Sequence, residues 1–112
     1  MYDQRDIVLV PFPYSDLSAL KYRPALIISN SLVNKTEDRL CCLVTSQPSS
    51  EGILLEIKDF ENGKLAFKSR VKPHRIFTSN IRIIKKKLCS VTDDFHNKVL
   101  DELYRYLKSE KK

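Results

Sequence analysis

The chain has 112 residues, 42% of them hydrophobic and 30% charged, which is typical of one globular domain. No apolar run approaches the roughly 20 residues of a membrane helix, and the first six residues lack a signal-peptide pattern, so we expect a single soluble domain over residues 1–112, cytoplasmic and not in a membrane. A formal charge of +6 favours binding to polyanions, although a basic domain that binds none is equally compatible with it.

Short apolar runs separated by turn residues predict a small sheet. We expect its strands at residues 6–10, 24–29, 40–45, 53–57, 64–71 and 75–78. Pro11 and Pro13 close the first strand. Pro24 fits the first position of the second strand, where its missing N–H is not required, and Pro73 interrupts the chain between the last two strands.

The C-terminal part changes to helical periodicity. One helical face carries Phe95, Val99, Leu100, Leu103 and Leu107. Ser90 and Asp93 resemble a capping box, with Thr92 as a competing N-cap. Polar residues make 30–39 a surface connection, with room for one helical turn. We therefore predict a mainly β fold (α+β) with one C-terminal helix.

The cysteines and histidines give no metal-binding pattern. Cys41, Cys42 and Cys89 are an odd number, and adjacent strand residues point to opposite faces, so we expect small buried thiols. His74 lies in a basic segment and fits a surface residue better than an acid or base. His96 lies beside the apolar stripe and is expected to face solvent. With two separated histidines and no paired acidic cluster, we expect no metal.

Polar side chains lie at the start of the second predicted strand and at the end of the third. Sequential strands usually pair antiparallel, so these two ends meet. Arg23 then lies beside Thr45, Ser46 and Gln47, and the first strand brings Phe12 to the same rim. The loop before the second strand adds three further side chains: Tyr14, Lys21 and Tyr22.

This combination suits a phosphodiester. A guanidinium matches two phosphate oxygens, hydroxyl and amide donors can neutralise charge developing on phosphorus, and aromatic rings can stack on unpaired bases. RNA carries its own nucleophile in the 2′-OH, so its cleavage requires no metal. Taken singly, Arg23 fits an ordinary surface arginine, and Thr45 and Ser46 fit turn residues.

Four motifs carry a resemblance to a known family. They are residues 6–13 (DIVLVPFP), 22–29 (YRPALIIS), 45–47 (TSQ) and 71–73 (VKP). In this order and spacing the chain resembles the MazF/PemK family of toxin endoribonucleases over nearly its whole length.

The resemblance implies an SH3-like small β-barrel with a C-terminal helix, a homodimer and a cognate antitoxin. It also implies metal-independent cleavage of single-stranded RNA, leaving a 2′,3′-cyclic phosphate and a 5′-OH, with no cofactor. By matched position, Arg23 and Thr45 are the expected catalytic residues. Arg23 is expected to stabilise charge at phosphorus, because a guanidinium is effectively always protonated. The expected RNA contacts are Phe12, Lys21, Tyr22, Ser46, Gln47 and Lys72.

Two other functions compete with this one. A catalytically inactive barrel could bind a protein partner or a DNA operator, and it would leave RNA intact. A purely structural β-barrel dimer would show neither salt-dependent RNA binding nor toxicity on expression.

Overall fold

The computed structural model describes residues 1–13, 20–48 and 51–111. Within these ranges the chain forms seven antiparallel strands, in the order β4-β6-β3-β2-β1-β7-β5, and two α-helices. The elements are β1 (Asp6–Pro13), β2 (Leu20–Ile27), α1 (Ser31–Asn34), β3 (Asp38–Thr45), β4 (Ile53–Leu54), β5 (Phe60–Asn62), β6 (Arg70–Asn80), β7 (Lys86–Val91) and α2 (Asp93–Leu107). The sheet is curled into a half-barrel, and the expected mainly β class with a C-terminal helix is confirmed.

β1 is longer than the predicted strand at residues 6–10. It runs through Pro11 to Pro13, so the expectation that these prolines end it is wrong. The pairing of β1 with β7 stops where Leu9 meets Lys86, and beyond that point β1 pairs with β2 alone. A proline is tolerated in a strand with an unpaired edge, because no neighbour requires its N–H.

β2 begins earlier than the predicted strand at residues 24–29. Its first residue is Leu20, and Pro24 lies inside it rather than at its first position. Pro24 nevertheless lies at the end of a ladder, because the pairing of β2 with β3 begins with Ala25 opposite Leu43. Pro24 therefore lies at the start of the β2–β3 ladder and not at the start of β2.

β6 is one continuous strand where two segments separated by Pro73 were predicted. Two adjacent residues of β3 pair with Lys72 and Ile76, so the register shifts and Pro73 falls in a bulge. A bulge leaves residues outside the ladder, and it can accept a residue that has no N–H to donate. The prediction that Pro73 interrupts the strand, with a separate strand at residues 75–78, is wrong.

Two further strand predictions are wrong in extent. Only the last two residues of the predicted strand at 64–71 belong to β6. The predicted strand at 53–57 ends after two residues, and a 3-10 turn follows at Ile57–Asp59. The Leu55 N–H still donates to the Ser69 carbonyl at 2.9 Å, so this pair extends the contact between the two segments beyond the strands themselves.

The sequence analysis did not predict β5 and β7. They pair with each other, with Phe60 opposite Val91. Lys86 and Lys87 are exposed, whereas Cys89 and Val91 are buried. β7 therefore lacks the alternation that marks a half-exposed strand, because its first two residues are exposed and its last three are buried.

The buried side chains form two hydrophobic clusters. The first comprises Ile7, Leu26, Cys42, Val44, Leu55, Val71, Cys89, Val91, Phe95 and Val99. The second comprises Val8, Val10, Ala25, Ile27, Cys41 and Ile84. Neighbouring residues of one strand belong to different clusters, because successive side chains point to opposite faces of a sheet. The three cysteines are buried free thiols, as expected.

α2 is capped by Thr92, whose side chain accepts a hydrogen bond from the Phe95 N–H at 3.2 Å. The N-cap of α2 is therefore Thr92 and not Ser90, the other N-cap that the sequence allowed. Phe95 and Val99 of the predicted apolar face pack into the first cluster, whereas Leu107 of the same face is 67% exposed. α1 is the single turn expected within residues 30–39.

His96 is buried and only 2% exposed, so the expectation that it faces solvent is wrong. Arg5 of the N-terminal turn pairs with Asp93 at the start of α2 at 3.3 Å, and its charge acts on the His96 ring. Arg5 itself has a φ of 79°, which is uncommon for a side chain other than glycine. Among the described residues, no helix is long and apolar enough to cross a membrane.

Candidate active site

The antiparallel pairing that was expected between the second and third strands is confirmed. Ala25 lies opposite Leu43. This is the last pair of the ladder, and extrapolation of its register by two residues places Arg23 across from Thr45. Ala25 belongs to the second hydrophobic cluster, and side chains two apart on a strand share a face. Arg23 and Thr45 therefore lie on one face, at the same edge of the sheet.

The row of side chains continues across four strands. Val10 of β1 pairs with Arg23, and Thr45 pairs with Arg70 of β6. Neighbouring strands are about 4.8 Å apart. Lys72 pairs with Leu43 in the next row and lies on the same face, so this edge of the sheet carries several cationic side chains.

Thr45 is 8% exposed and ends β3. Its hydroxyl oxygen accepts a hydrogen bond from the Gln47 N–H at 3.2 Å. This contact fixes the turn after the strand and leaves the hydroxyl proton able to donate. Ser46 and Gln47 are exposed immediately beside it.

Two of the predicted RNA contacts share the face of Arg23. Phe12 pairs with Lys21, two residues from the pair formed by Val10 and Arg23, so both side chains lie on that face. Phe12 is half-buried, and its ring meets that of Phe77 edge to face at 5.2 Å. Lys21 is exposed.

Tyr22 points to the opposite face, because it lies between Lys21 and Arg23 on the same strand. It is 50% exposed, and Lys85 Nζ lies 4.7 Å from the centre of its ring. The structure therefore does not bring Tyr22 onto the same face as Arg23. The prediction that Tyr14 joins this rim lies outside the described residues.

A cleft of about 430 Å³ opens beside Arg23. Tyr22, Ser46 and the segment of residues 64–67 contribute to its lining. Tyr22 and Ser46 thus share the cleft wall with Arg23, although the Tyr22 side chain belongs to the other face of β2. The segment 64–67 was predicted as a strand, and its position over the cleft was not foreseen.

The histidines do not line this cleft. The His74 ring lies 6.3 Å from that of Tyr106 in α2, and the side chain is exposed, in agreement with the predicted surface position. Burial lowers the pKa of His96, and the positive charge of Arg5 lowers it further. In the part of the chain that the structure describes, no three His, Cys, Asp or Glu side chains group so as to hold a metal ion.

Sequence reasoning missed Arg70, Lys68 and Lys85. Arg70 reaches the rim through the pairing of β3 with β6, which are separated in the chain by β4 and β5. Lys85 reaches Tyr22 from the segment before β7. The sequence does show an excess of Lys and Arg over residues 64–87, but this excess does not indicate which of these side chains face the rim.

A guanidinium and a hydroxyl at the same basic edge of a small curled sheet define a β-barrel protein equipped to hold an anionic ligand. Residues 3–107 match the PemK-like, MazF-like toxins of type II toxin-antitoxin systems. Because the match covers nearly the whole chain, the chain belongs to this toxin family. No curated protein matches it.

Several solved structures share the fold. An endoribonuclease from a Mycobacterial species, in complex with its cognate antitoxin, has a TM-score of 0.70 and 17% identity, covering 98% of this chain and 100% of that one. A MazE-MazF structure from Deinococcus radiodurans has a TM-score of 0.72 and 20% identity, covering 95% of each chain. The Mycobacterium tuberculosis toxin MazF-mt6 has a TM-score of 0.69 and 14% identity, covering 96% of this chain and 100% of that one.

Proposed function

We propose that this chain is the toxin of a type II toxin-antitoxin system, a metal-independent endoribonuclease that cleaves single-stranded mRNA and inhibits growth. The observation that carries the proposal is that Arg23 and Thr45 both lie two residues beyond the last pair of the β2–β3 ladder, at one edge of the sheet. Membership of the toxin family and the likeness in fold to proteins named as endoribonucleases support it.

The proposed reaction is an attack of the RNA 2′-oxygen on the adjacent phosphorus. The new bond joins O2′ to phosphorus, and the bond from phosphorus to O5′ breaks, leaving a 2′,3′-cyclic phosphate and a 5′-OH. Water takes the 2′ proton and supplies one to O5′. Arg23 forms two parallel hydrogen bonds to the phosphate, and the Thr45 hydroxyl donates a third, so both stabilise the charge that grows in the transition state.

The proposed RNA contacts divide between the two faces. Lys21 and Lys72 lie on the face of Arg23 and neutralise neighbouring phosphates. Tyr22 lies on the cleft wall and stacks on an unpaired base. Three further proposed contacts complete the set: Phe12, Ser46 and Gln47.

We extend the proposal to the assembly and its inhibitor. The 112 residues act as a single domain, two copies form a homodimer in the cytoplasm, and a cognate antitoxin inhibits it. The antitoxin complexes named for the Mycobacterial and Deinococcus structures support an inhibitor of this kind.

The test is cleavage of a long RNA in EDTA with analysis of the end groups. We expect cyclic phosphate and 5′-OH ends from the wild type, and cleavage at least about a hundredfold slower from Arg23→Ala, the scale of losing a transition-state donor. Arg82→Ala is the matched control, because Arg82 pairs with Glu37 beyond the opposite end of the β3–β6 ladder. Full activity in Arg23→Ala would contradict the mechanism. Intact RNA with the wild type, together with binding of a protein partner or DNA, would favour the inactive barrel.

A further inference from the structure

A small polar pocket lies next to Thr45, outside the cleft described above. It has a volume of about 160 Å³. Its lining consists of Ser46, Gln47, Pro48, Lys68 and Arg70. Two of these side chains are cationic and none is acidic, so the pocket offers a positive, hydrogen-bonding environment of a size suited to one small anion.

Arg70 is fixed at this place by the sheet. It pairs directly with Thr45 on β3 and with Leu54 on β4, so strands hold it on both sides. Arg70 is half-buried, which limits the positions that its guanidinium can reach. Since Thr45 and Arg70 are a cross-strand pair, their side chains share one face.

Lys68 joins the pocket from the other side. It is exposed and precedes β6 by two residues. Within the described residues, neither Lys68 nor Arg70 takes part in an ion pair, whereas Arg82, beyond the opposite end of the β3–β6 ladder, pairs with Glu37. Both cations are therefore available to an anionic ligand that enters the pocket.

The spacing relates this pocket to Arg23. Thr45 pairs with Arg70, and the β2–β3 register extrapolated by two residues places Arg23 in the same row, so two strand spacings, about 10 Å, separate the backbones at the two arginines. Both guanidinium groups can therefore bind one RNA strand, each at a different phosphate, with Thr45 between them.

We propose that this pocket is a second phosphate subsite, in which Arg70 and Lys68 hold the RNA phosphate next to the one that is cleaved. The proposal rests on the nuclease function proposed above. Arg70 binds substrate in the ground state as well as in the transition state, and therefore acts on KM more than on kcat.

The test uses an RNA oligonucleotide with a single cleavage site, together with versions in which one flanking phosphate at a time is a neutral methylphosphonate. We expect Arg70→Ala to raise KM about tenfold to a hundredfold, the range for a hydrogen bond to a charged group, and to change kcat less than threefold. For the wild type, KM should rise by a similar factor when one particular flanking phosphate is replaced by methylphosphonate. For Arg70→Ala, the same replacement should not change KM further. Lys68→Ala should reduce the salt dependence of binding by about 0.7 in log-log slope.

Arg82→Ala is again the matched control, and thermal unfolding of each variant separates loss of binding from loss of fold. If Arg70→Ala fails to fold, Arg70→Lys, which keeps the charge without the planar fork, replaces it and should raise KM less than tenfold but measurably. Kinetics of the position-70 variant equal to those of Arg82→Ala would overturn the subsite while leaving the nuclease function intact. Unchanged RNA kinetics with weaker binding of an acidic peptide would assign the pocket to a carboxylate partner, and would overturn it as well.

Failure of the proposed nuclease function can be distinguished from failure of the proposed subsite. If the wild type leaves RNA uncut, binding of the same oligonucleotide is measured by fluorescence anisotropy. Weaker binding by the position-70 variant than by Arg82→Ala would then support the subsite without catalysis. Equal binding by the two variants, or no binding by the wild type, would overturn both proposals.

Discussion

Arg23 in β2 and Thr45 in β3 each lie two residues beyond Ala25 and Leu43, the pair that ends the β2–β3 ladder. The strands hold both side chains at one edge of the sheet, and the turn after β3 orients the Thr45 hydroxyl through the Gln47 N–H. The proposed mechanism requires this arrangement, because two donors can stabilise one phosphate only if they reach it together.

Thr45 gives the first prediction. We expect Thr45→Val to cleave RNA about a hundredfold more slowly, because valine keeps the branched shape and removes the donor, whereas Thr45→Ser should stay within about tenfold of the wild type. Single-turnover cleavage rates on one oligonucleotide would measure this. Thr45→Val releases the Gln47 backbone N–H, and because Gln47 is exposed, water can accept that hydrogen bond instead. Both variants should therefore unfold near the wild-type temperature. Equal rates for the valine and serine variants would contradict a donor role.

Tyr22 gives the second prediction. If its ring stacks on an unpaired base, Tyr22→Leu should weaken binding of single-stranded RNA by about 1 to 3 kcal/mol, and Tyr22→Phe should bind like the wild type. Lys85→Ala tests whether the cation over the ring contributes separately. Binding would be measured by fluorescence anisotropy at one fixed salt concentration. Equal affinities of the leucine and phenylalanine variants would show that the ring does not stack.

The position of Arg23 and Thr45 at one edge was predictable, because β2 and β3 follow each other in the chain and pair antiparallel. Arg70 was not predictable in the same way. It reaches Thr45 through β6, which pairs with β3 across β4 and β5, and a pairing between distant segments leaves no local pattern in one sequence. The sequence therefore predicted Arg23, on the β2 side of Thr45, and did not predict Arg70, on the β6 side.

The prolines and His96 show why local rules gave wrong boundaries. Pro11 and Pro73 lie within strands because an unpaired edge and a bulge remove the need for their N–H, and only the sheet determines where these occur. His96 lies beside the apolar stripe and is nevertheless buried, with Arg5 of the N-terminal turn close enough for its charge to act on the ring. Helical periodicity identifies the main apolar face of a helix, but it does not show which segments of the chain pack against the adjacent face.

Gly52 gives the third prediction. Its φ is 135°, and a Cβ there would lie 2.6 Å from the Val71 carbonyl oxygen, so Gly52→Ala must strain or displace the chain beside Arg70. We expect a loss of about 1 to 3 kcal/mol in the free energy of unfolding, measured with urea. Gly63→Ala is the matched control, with a φ of 69° and a nearest contact of 3.2 Å, and should lose less. A larger loss in the Gly63 variant would contradict this reading of the two turns.

The cysteines give the fourth prediction. Burial raises the pKa of Cys41 and Cys42 to about 12 and that of Cys89 to about 11, so almost no thiolate forms near pH 8. We expect the native protein to react with iodoacetamide far more slowly than the protein in guanidinium, where all three thiols become accessible. Mass spectrometry of the labelled chain would count the modified residues. Rapid labelling of any one cysteine in the native protein would contradict its burial.

His96 gives the fifth prediction, a dependence of stability on pH. Burial, reinforced by Arg5 and opposed by Asp93, holds its pKa below the ordinary value of 6.5. Above pH 6.5 the ring is neutral in both the folded and the unfolded chain, so its contribution to stability is fully present. As the pH falls below 6.5 the unfolded chain takes up the proton first, and stability decreases until the pH reaches the folded-state pKa.

Urea unfolding of the wild type and of His96→Leu between pH 7.5 and 5.5 would measure this decrease. We expect the variant to lose the part of the slope that His96 causes. Both ring nitrogens are buried without a hydrogen-bond partner among the described residues, so the variant should be at least as stable as the wild type at pH 7.5. His74→Ala, at an exposed position, is the control and should keep the wild-type slope. An unchanged slope in His96→Leu would show that another group titrates, because no proton is then taken up at position 96.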